Sequence, residues 1–114
     1  MFNVAIIGSN SITSYKEFSD SCKYFLKSKI KEGITIFATE ETENIKRFSA
    51  EYRLSIQYFY TNWKTFGKNA LKERNKMLLS ECNGIIWFND GLKDTEVLKQ
   101  MALKIGTPVK NGNR

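Results

Sequence analysis

The sequence contains no histidine. That removes the commonest general base, every triad built on imidazole, and imidazole metal sites. Any catalysis would rest on carboxylates, lysine, tyrosine or cysteine. Cysteine is scarce: only Cys22 and Cys82 occur, each on or beside an apolar helical face, with no CxxC and no second ligand cluster. Two reduced thiols are expected, rather than a disulfide or a metal pair. Pro108 is the single proline, and no linker, repeat or low-complexity segment stands out. No apolar run approaches the ~20 residues needed to span a bilayer, so no membrane partner is expected. The opening "MFNVAIIGSN" is short and lacks a basic start, and is not expected to act as a signal peptide. A cytoplasmic protein is the expectation.

The 114 residues suit one domain with a single core, expected over 1–110 with a frayed tail at 111–114. The formal charge is +6, and it is unevenly spread. Residues 61–82 carry Lys64, Lys68, Lys72, Arg74 and Lys76 against Glu73 and Glu81, whereas residues 38–60 run slightly acidic. A basic coat would favour nucleic acid; a basic block confined to one loop and helix suits a discrete anion equally well. A small, lysine-rich, histidine-free chain is a composition common in phages and mobile elements.

Along the chain, "FNVAIIG" and "ITIFA" are short apolar runs that predict buried strands. "LSIQYFY" alternates and predicts a strand at a sheet edge, "IIWFN" a fourth strand, and "TPVK" a short fifth. Helical spacing fills the gaps. Ser14 with Glu17 predicts a capping box, and Gly33 the end of that first helix. A helix is predicted from about Gly67, stopped by Asn83-Gly84. The last helix is predicted to be capped by Asp94 or Thr95 and closed at Gly106. The alternation β-α-β-α-β-α-β-α-(β) predicts an α/β fold: a Rossmann-like, doubly wound parallel sheet of four or five strands with helices on both faces. Ligands of such sheets bind at the C-terminal strand ends. Every conspicuous polar loop follows a strand, so these loops should gather along one rim.

"TNWKTFGKNALKERNKML" resembles the pattern A-D-W-x-x-x-G-K-x-A-G-P-x-R-N-x-x-M of the YspA-like branch of the SMF/DprA–LOG (SLOG) superfamily. The matching residues are Trp63, Gly67, Lys68, Ala70, Arg74, Asn75 and Met77. "IIGSNSIT" resembles that family's opening G-S-R loop, and "IIWFNDGLKDT" its F-W-x-G-x-S-x-G-T turn, through Gly91 and Thr95. The resemblance implies a Rossmann-like fold with strand order resembling 3-2-1-4-5. It also has departures. The family's glycine-rich loop after the second strand reads "ATEETENIKRF" here, with Glu40, Glu41 and Glu43 where backbone would approach phosphate. Asn10 stands where arginine is usual, and Asn62 where aspartate is. LOG-type members hydrolyse nucleoside monophosphates through P-G-G-x-G-T-x-x-E; here Asp94 replaces the glycine before Thr95, and Leu98 stands at the glutamate position. That motif is broken twice, which argues against an enzyme, and no catalytic residue, metal ligand or cofactor is assigned.

Arg74 frames the question of function. It lies three residues after Leu71 and four before Leu78, on the face of an apolar stripe. Either its stem packs while its head reaches water, or, as the resemblance implies, its guanidinium holds a phosphate or carboxylate at the rim. Asn75 either binds the same ligand or hydrogen-bonds a neighbouring loop. Gly67-Lys68 at a helix start would favour an anion. Trp63 would stack on a base or else cover a core edge. The ligand-binding set is Gly8, Ser9, Asn10, Thr39, Glu40, Glu41, Trp63, Lys68, Arg74, Asn75, Asn89, Asp90, Gly91 and Thr95. The expected activity is non-catalytic sensing or sequestration of a nucleotide or nucleotide-derived small molecule. The alternatives are a nucleoside-monophosphate hydrolase using a rim glutamate, a single-stranded nucleic-acid binder using the 61–82 block, and a degenerate domain kept for protein contacts. Self-association stays open.

Overall fold

The run FNVAII forms strand β1 (Phe2–Ile7), and its last four residues are buried on both faces, as a central parallel strand requires. The computed structural model describes residues 2–113. Helix α1 (Tyr15–Leu26) returns the chain to strand β2 (Ile34–Ala38), which pairs parallel with β1 from Phe2 opposite Ile34 to Ala5 opposite Phe37. Helix α2 (Glu43–Tyr52) leads to strand β3 (Ser55–Tyr58), whose half-buried alternation fits an edge. A short helix α3 (Trp63–Phe66) and helix α4 (Ala70–Glu81) then cross to strand β4 (Gly84–Trp87), on the other side of β1. Helix α5 (Lys93–Ile105) and strand β5 (Val109–Asn111) finish the chain. The sheet is parallel throughout, in the order β3-β2-β1-β4-β5.

Alternate side chains of the central strands serve two cores. Val4, Ile6 and Ile36 pack with Phe18, Cys22, Ile45 and Phe48 of α1 and α2. Ala5, Ile7, Phe37 and Ile85 pack with Leu78, Leu79, Leu98 and Ala102 of α4 and α5. Phe18 anchors the first core, with ring centroids 5.9 Å from Phe48 and 5.6 Å from Phe88. Burying one such ring contributes roughly 1.5–3 kcal/mol. Both thiols are free, with Cys22 buried and Cys82 half-buried. No helix among the described residues is long and apolar enough to cross a membrane.

Several local expectations need correction. The helix expected from Gly67 begins at Ala70, because Gly67–Asn69 form a tighter 3-10 turn after α3. The first helix ends at Leu26, not at Gly33, which instead follows a separate turn at Ile30–Glu32. Neither Asp94 nor Thr95 caps α5: its N-cap is Leu92, without a side-chain cap, and the Asp90 carboxylate accepts from the Leu92 N–H at 2.9 Å. The tail expected to fray is hydrogen-bonded over residues 111–113. Gly112 N–H donates to the Trp87 carbonyl at 2.8 Å, and its own carbonyl accepts from Ser21 Oγ at 2.8 Å. Arg114 lies outside the described residues.

Candidate functional site

Helix α1 leaves β1 toward one face of the sheet and α5 leaves β4 toward the other, so the crevice between these strand ends is the topological switch point. Two loops meet there. Gly8 adopts φ 77° and ψ 13°, and a Cβ at this position would lie 2.1 Å from the Phe88 carbonyl oxygen and 3.6 Å from Asp90 Cγ. Close crossing of the two loops is thus a sufficient structural reason for glycine. Ser9 is buried, with its hydroxyl 3.2 Å from that of Thr42, so it ties the first loop to the start of α2. Asn10 is exposed.

The loop after β4 is held by its own side chains. Asn89 Oδ1 accepts from Gly91 N–H at 3.0 Å, and Asn89 N–H donates to Asn113 Oδ1 at 2.7 Å. The Thr95 hydroxyl donates to Asp90 Oδ1, with the Leu92 carbonyl 3.0 Å away as its other acceptor. Its proton is committed and does not point to a phosphate. The second Asp90 oxygen, Oδ2, is buried and has no hydrogen-bond partner among the described residues. After β2, Thr39 is half-buried while Glu40 and Glu41 are exposed, and Glu41 lies 3.6 Å from Lys46 Nζ.

The polar residue inside the buried stripe of α4 is Asn75, 2% exposed, and Arg74 beside it is half-buried. Among the described residues Asn75 has no hydrogen bond to a loop. Its Oδ1 accepts from Arg74 Nε at 2.9 Å, and its Nδ2 faces Met101 Sδ of α5 at 3.6 Å, a weak acceptor. Burial pushes the Arg74 pKa down, while the carboxylates of Asp94 and Glu40 pull it up. Neither carboxylate comes within 4 Å as an ion pair, and among the described residues only Nε of the guanidinium has a hydrogen bond. Arg74 therefore stands between the β2 loop and the start of α5 with its two terminal nitrogens uncommitted.

Lys68 is exposed and lines a hollow of about 490 Å³ between α4 and α5, together with Asn75 and Asp94. The amide of Gly67 is already bonded to the Trp63 carbonyl and that of Ala70 to the Gly67 carbonyl, so Gly67 itself offers no free donor to an anion. Trp63 opens α3 as a 55% exposed residue whose ring has no aromatic or cation–π contact among the described residues. Reading the sequence missed Gly112 and Asn113, which line a cavity of about 350 Å³ at the strand ends with Glu17, Asp20, Ser21 and Phe88. No local pattern signals that placement, since Ser21 and Gly112 are 91 residues apart. No family model, curated protein or solved structure matches this chain.

Proposed function

We propose that this protein binds a nucleotide or nucleotide-derived small molecule at the C-terminal rim of its sheet, without catalysis, to sense or sequester it. The observation that carries this reading is Arg74. A half-buried guanidinium fixed through Nε, with both terminal nitrogens uncommitted, is a preorganised fork for an anionic oxygen pair. Asp90 supports it from across the rim. Its orphaned Oδ2 leaves a buried acceptor unsatisfied, at about 1–3 kcal/mol, which a ligand hydroxyl or amino group would relieve. An anion-binding fork and a free acceptor suit a sugar phosphate, and the Trp63 ring offers a base a face to stack on.

The charges narrow the ligand further. The carboxylates of Glu40 and Asp94 both act on Arg74, while Glu41 is already answered by Lys46 at 3.6 Å. That balance favours one anionic group with several hydrogen-bond donors over a polyphosphate. Against hydrolysis, Leu98 sits 1% exposed in the core, and Glu96 is engaged by Lys99 and Gln100. The departure from the LOG-type motif at Asp94 and Leu98 argues the same way.

A thermal-shift screen with AMP, cyclic dinucleotides and ADP-ribose tests the reading. A ligand at a hundred times its Kd adds roughly 2.7 kcal/mol, or roughly 10 °C for a domain of this size. The expected result is a shift in the wild type that Arg74→Ala loses. If no compound shifts the wild type more than the variant, the reading fails. Free base released from AMP, and lost in Glu40→Gln, Glu41→Gln or Glu96→Gln, would overturn its non-catalytic part.

A further inference from the structure

Helices α4 and α5 present an apolar trough on their solvent side. Val97, Met101 and Ile105 recur every four residues along α5 and form one ridge, with Val97 41% and Ile105 63% exposed. The hollow of about 490 Å³ flanks this ridge on the α4 side, where Leu71 supplies the opposite apolar wall. A second hollow of about 410 Å³ flanks it on the other side, and Val97, Met101 and Lys104 line both. A ridge between two grooves is the surface onto which another helix packs its own ridges. A small molecule would fill one hollow and leave the other open to water.

The border of the trough is basic. Lys68, Lys72, Lys93 and Lys104 line it, and none has an ion-pair partner within 4 Å among the described residues. Of the lining carboxylates, Glu96 is held by Lys99 at 3.6 Å, which leaves Asp94 alone against four lysines. A second copy of this face would set lysines against lysines. We propose that the trough docks an acidic amphipathic helix of a partner protein, with apolar anchors three or four residues apart and glutamates or aspartates on both flanks. Met101 suits such a role, because its unbranched side chain adapts to different anchors.

The test uses a fluorescent synthetic peptide of roughly 15–20 residues, long enough to form a helix on binding, with leucines at i, i+4, i+7 and i+11 and glutamates beside them. Anisotropy should show saturable binding, and amide shifts should concentrate in α4 and α5. Lys72→Glu with Lys104→Glu should weaken binding at least about tenfold, and a peptide carrying lysines in place of glutamates should recover it on that variant. Val97→Asp should weaken binding while leaving the melting temperature within about 2 °C, as an exposed site allows. The proposal is overturned by no saturation up to about 1 mM peptide. Equal binding of a scrambled peptide overturns it too, as does attachment to phosphatidylglycerol vesicles or single-stranded DNA without peptide binding. Lys68, Asn75 and Asp94 line the trough and also belong to the rim, but Lys72, Lys104 and Val97 do not, so variants at these three should lose the peptide and keep any nucleotide-induced thermal shift, whereas Arg74→Ala should do the reverse.

Discussion

Gly8 and Gly106 form a matched pair. Gly8 has φ 77° and ψ 13°; Gly106, which closes α5, has φ 86° and ψ 12°. Both are left-handed, so alanine at either position carries the same backbone penalty, about 1–2 kcal/mol. They differ in what a Cβ would meet. At Gly106 nothing lies within 4 Å, whereas at Gly8 the Phe88 carbonyl oxygen is 2.1 Å away. Ordinary contact begins near 3.4 Å, so the loops must part by about 1.3 Å. They are held together by the Phe88 N–H to Ile7 carbonyl bond at 2.8 Å and by the pairing of Ile7 with Trp87 in the centre of the sheet. Overpacking there adds about 1–3 kcal/mol, and a weakened ladder bond adds about 1 kcal/mol more. Gly8→Ala should therefore cost about 3–6 kcal/mol, and Gly106→Ala about 1–2 kcal/mol. Urea unfolding followed by the fluorescence of buried Trp87 should show a midpoint lower by roughly 2 M for the first and by about 1 M or less for the second. If Gly8 were glycine only to admit a ligand, the two variants would unfold together and Gly8→Ala would lose binding alone. Coincident midpoints refute the steric argument.

Two further outcomes follow from the charges. Burial pushes the Cys22 thiol well above its ordinary value, so the folded state keeps it neutral where the unfolded chain ionises it. Its contribution is whole below about pH 8.5 and declines as pH rises above that, by roughly 2 kcal/mol between pH 8 and pH 10. Urea midpoints should fall more steeply with pH in the wild type than in Cys22→Ala, and parallel declines would disprove the linkage. Glu40 acts on the Arg74 guanidinium from the β2 loop and should oppose an anion there. Glu40→Gln should tighten, severalfold at low salt, the binding of whichever screened nucleotide stabilises the wild type most; weaker binding would mean that Glu40 accepts a hydrogen bond from the ligand.

The sheet was legible because its central strands are unbroken apolar runs, while "LSIQY" alternates as an edge does. The buried polar position of α4 was not. Arg74 is three residues after Leu71 and four before Leu78, and Asn75 is four after and three before, so both positions fit the stripe. Burying Asn75 leaves a short amide to satisfy, and Arg74 Nε supplies the donor. Burying Arg74 would strand a charge. The α5 cap failed for a related reason. Asp94 and Thr95 sit where a cap belongs, but Asp90 reaches forward to Leu92 and Thr95 and lets the helix begin earlier. Partners for Asn113 and Gly112 lie far away in sequence, where no periodicity points to them.

The glutamates after β2 and the uncommitted arginine on α4 fit one account. In a glycine-rich loop, phosphate would approach the free amides that open the next helix. Here Thr42 occupies that position: its Oγ1 accepts from Ile45 N–H at 3.3 Å, its carbonyl accepts from Lys46 N–H, and its hydroxyl also meets Ser9. Glu41 and Glu43 bring negative charge to the same helix end and share Lys46. The dipole of α2 is thus answered by the protein's own carboxylates. A bound phosphate would gain little there, whereas the two terminal nitrogens of Arg74 have no hydrogen bond among the described residues. Restoring glycines in the loop alone would leave Thr42 capping α2.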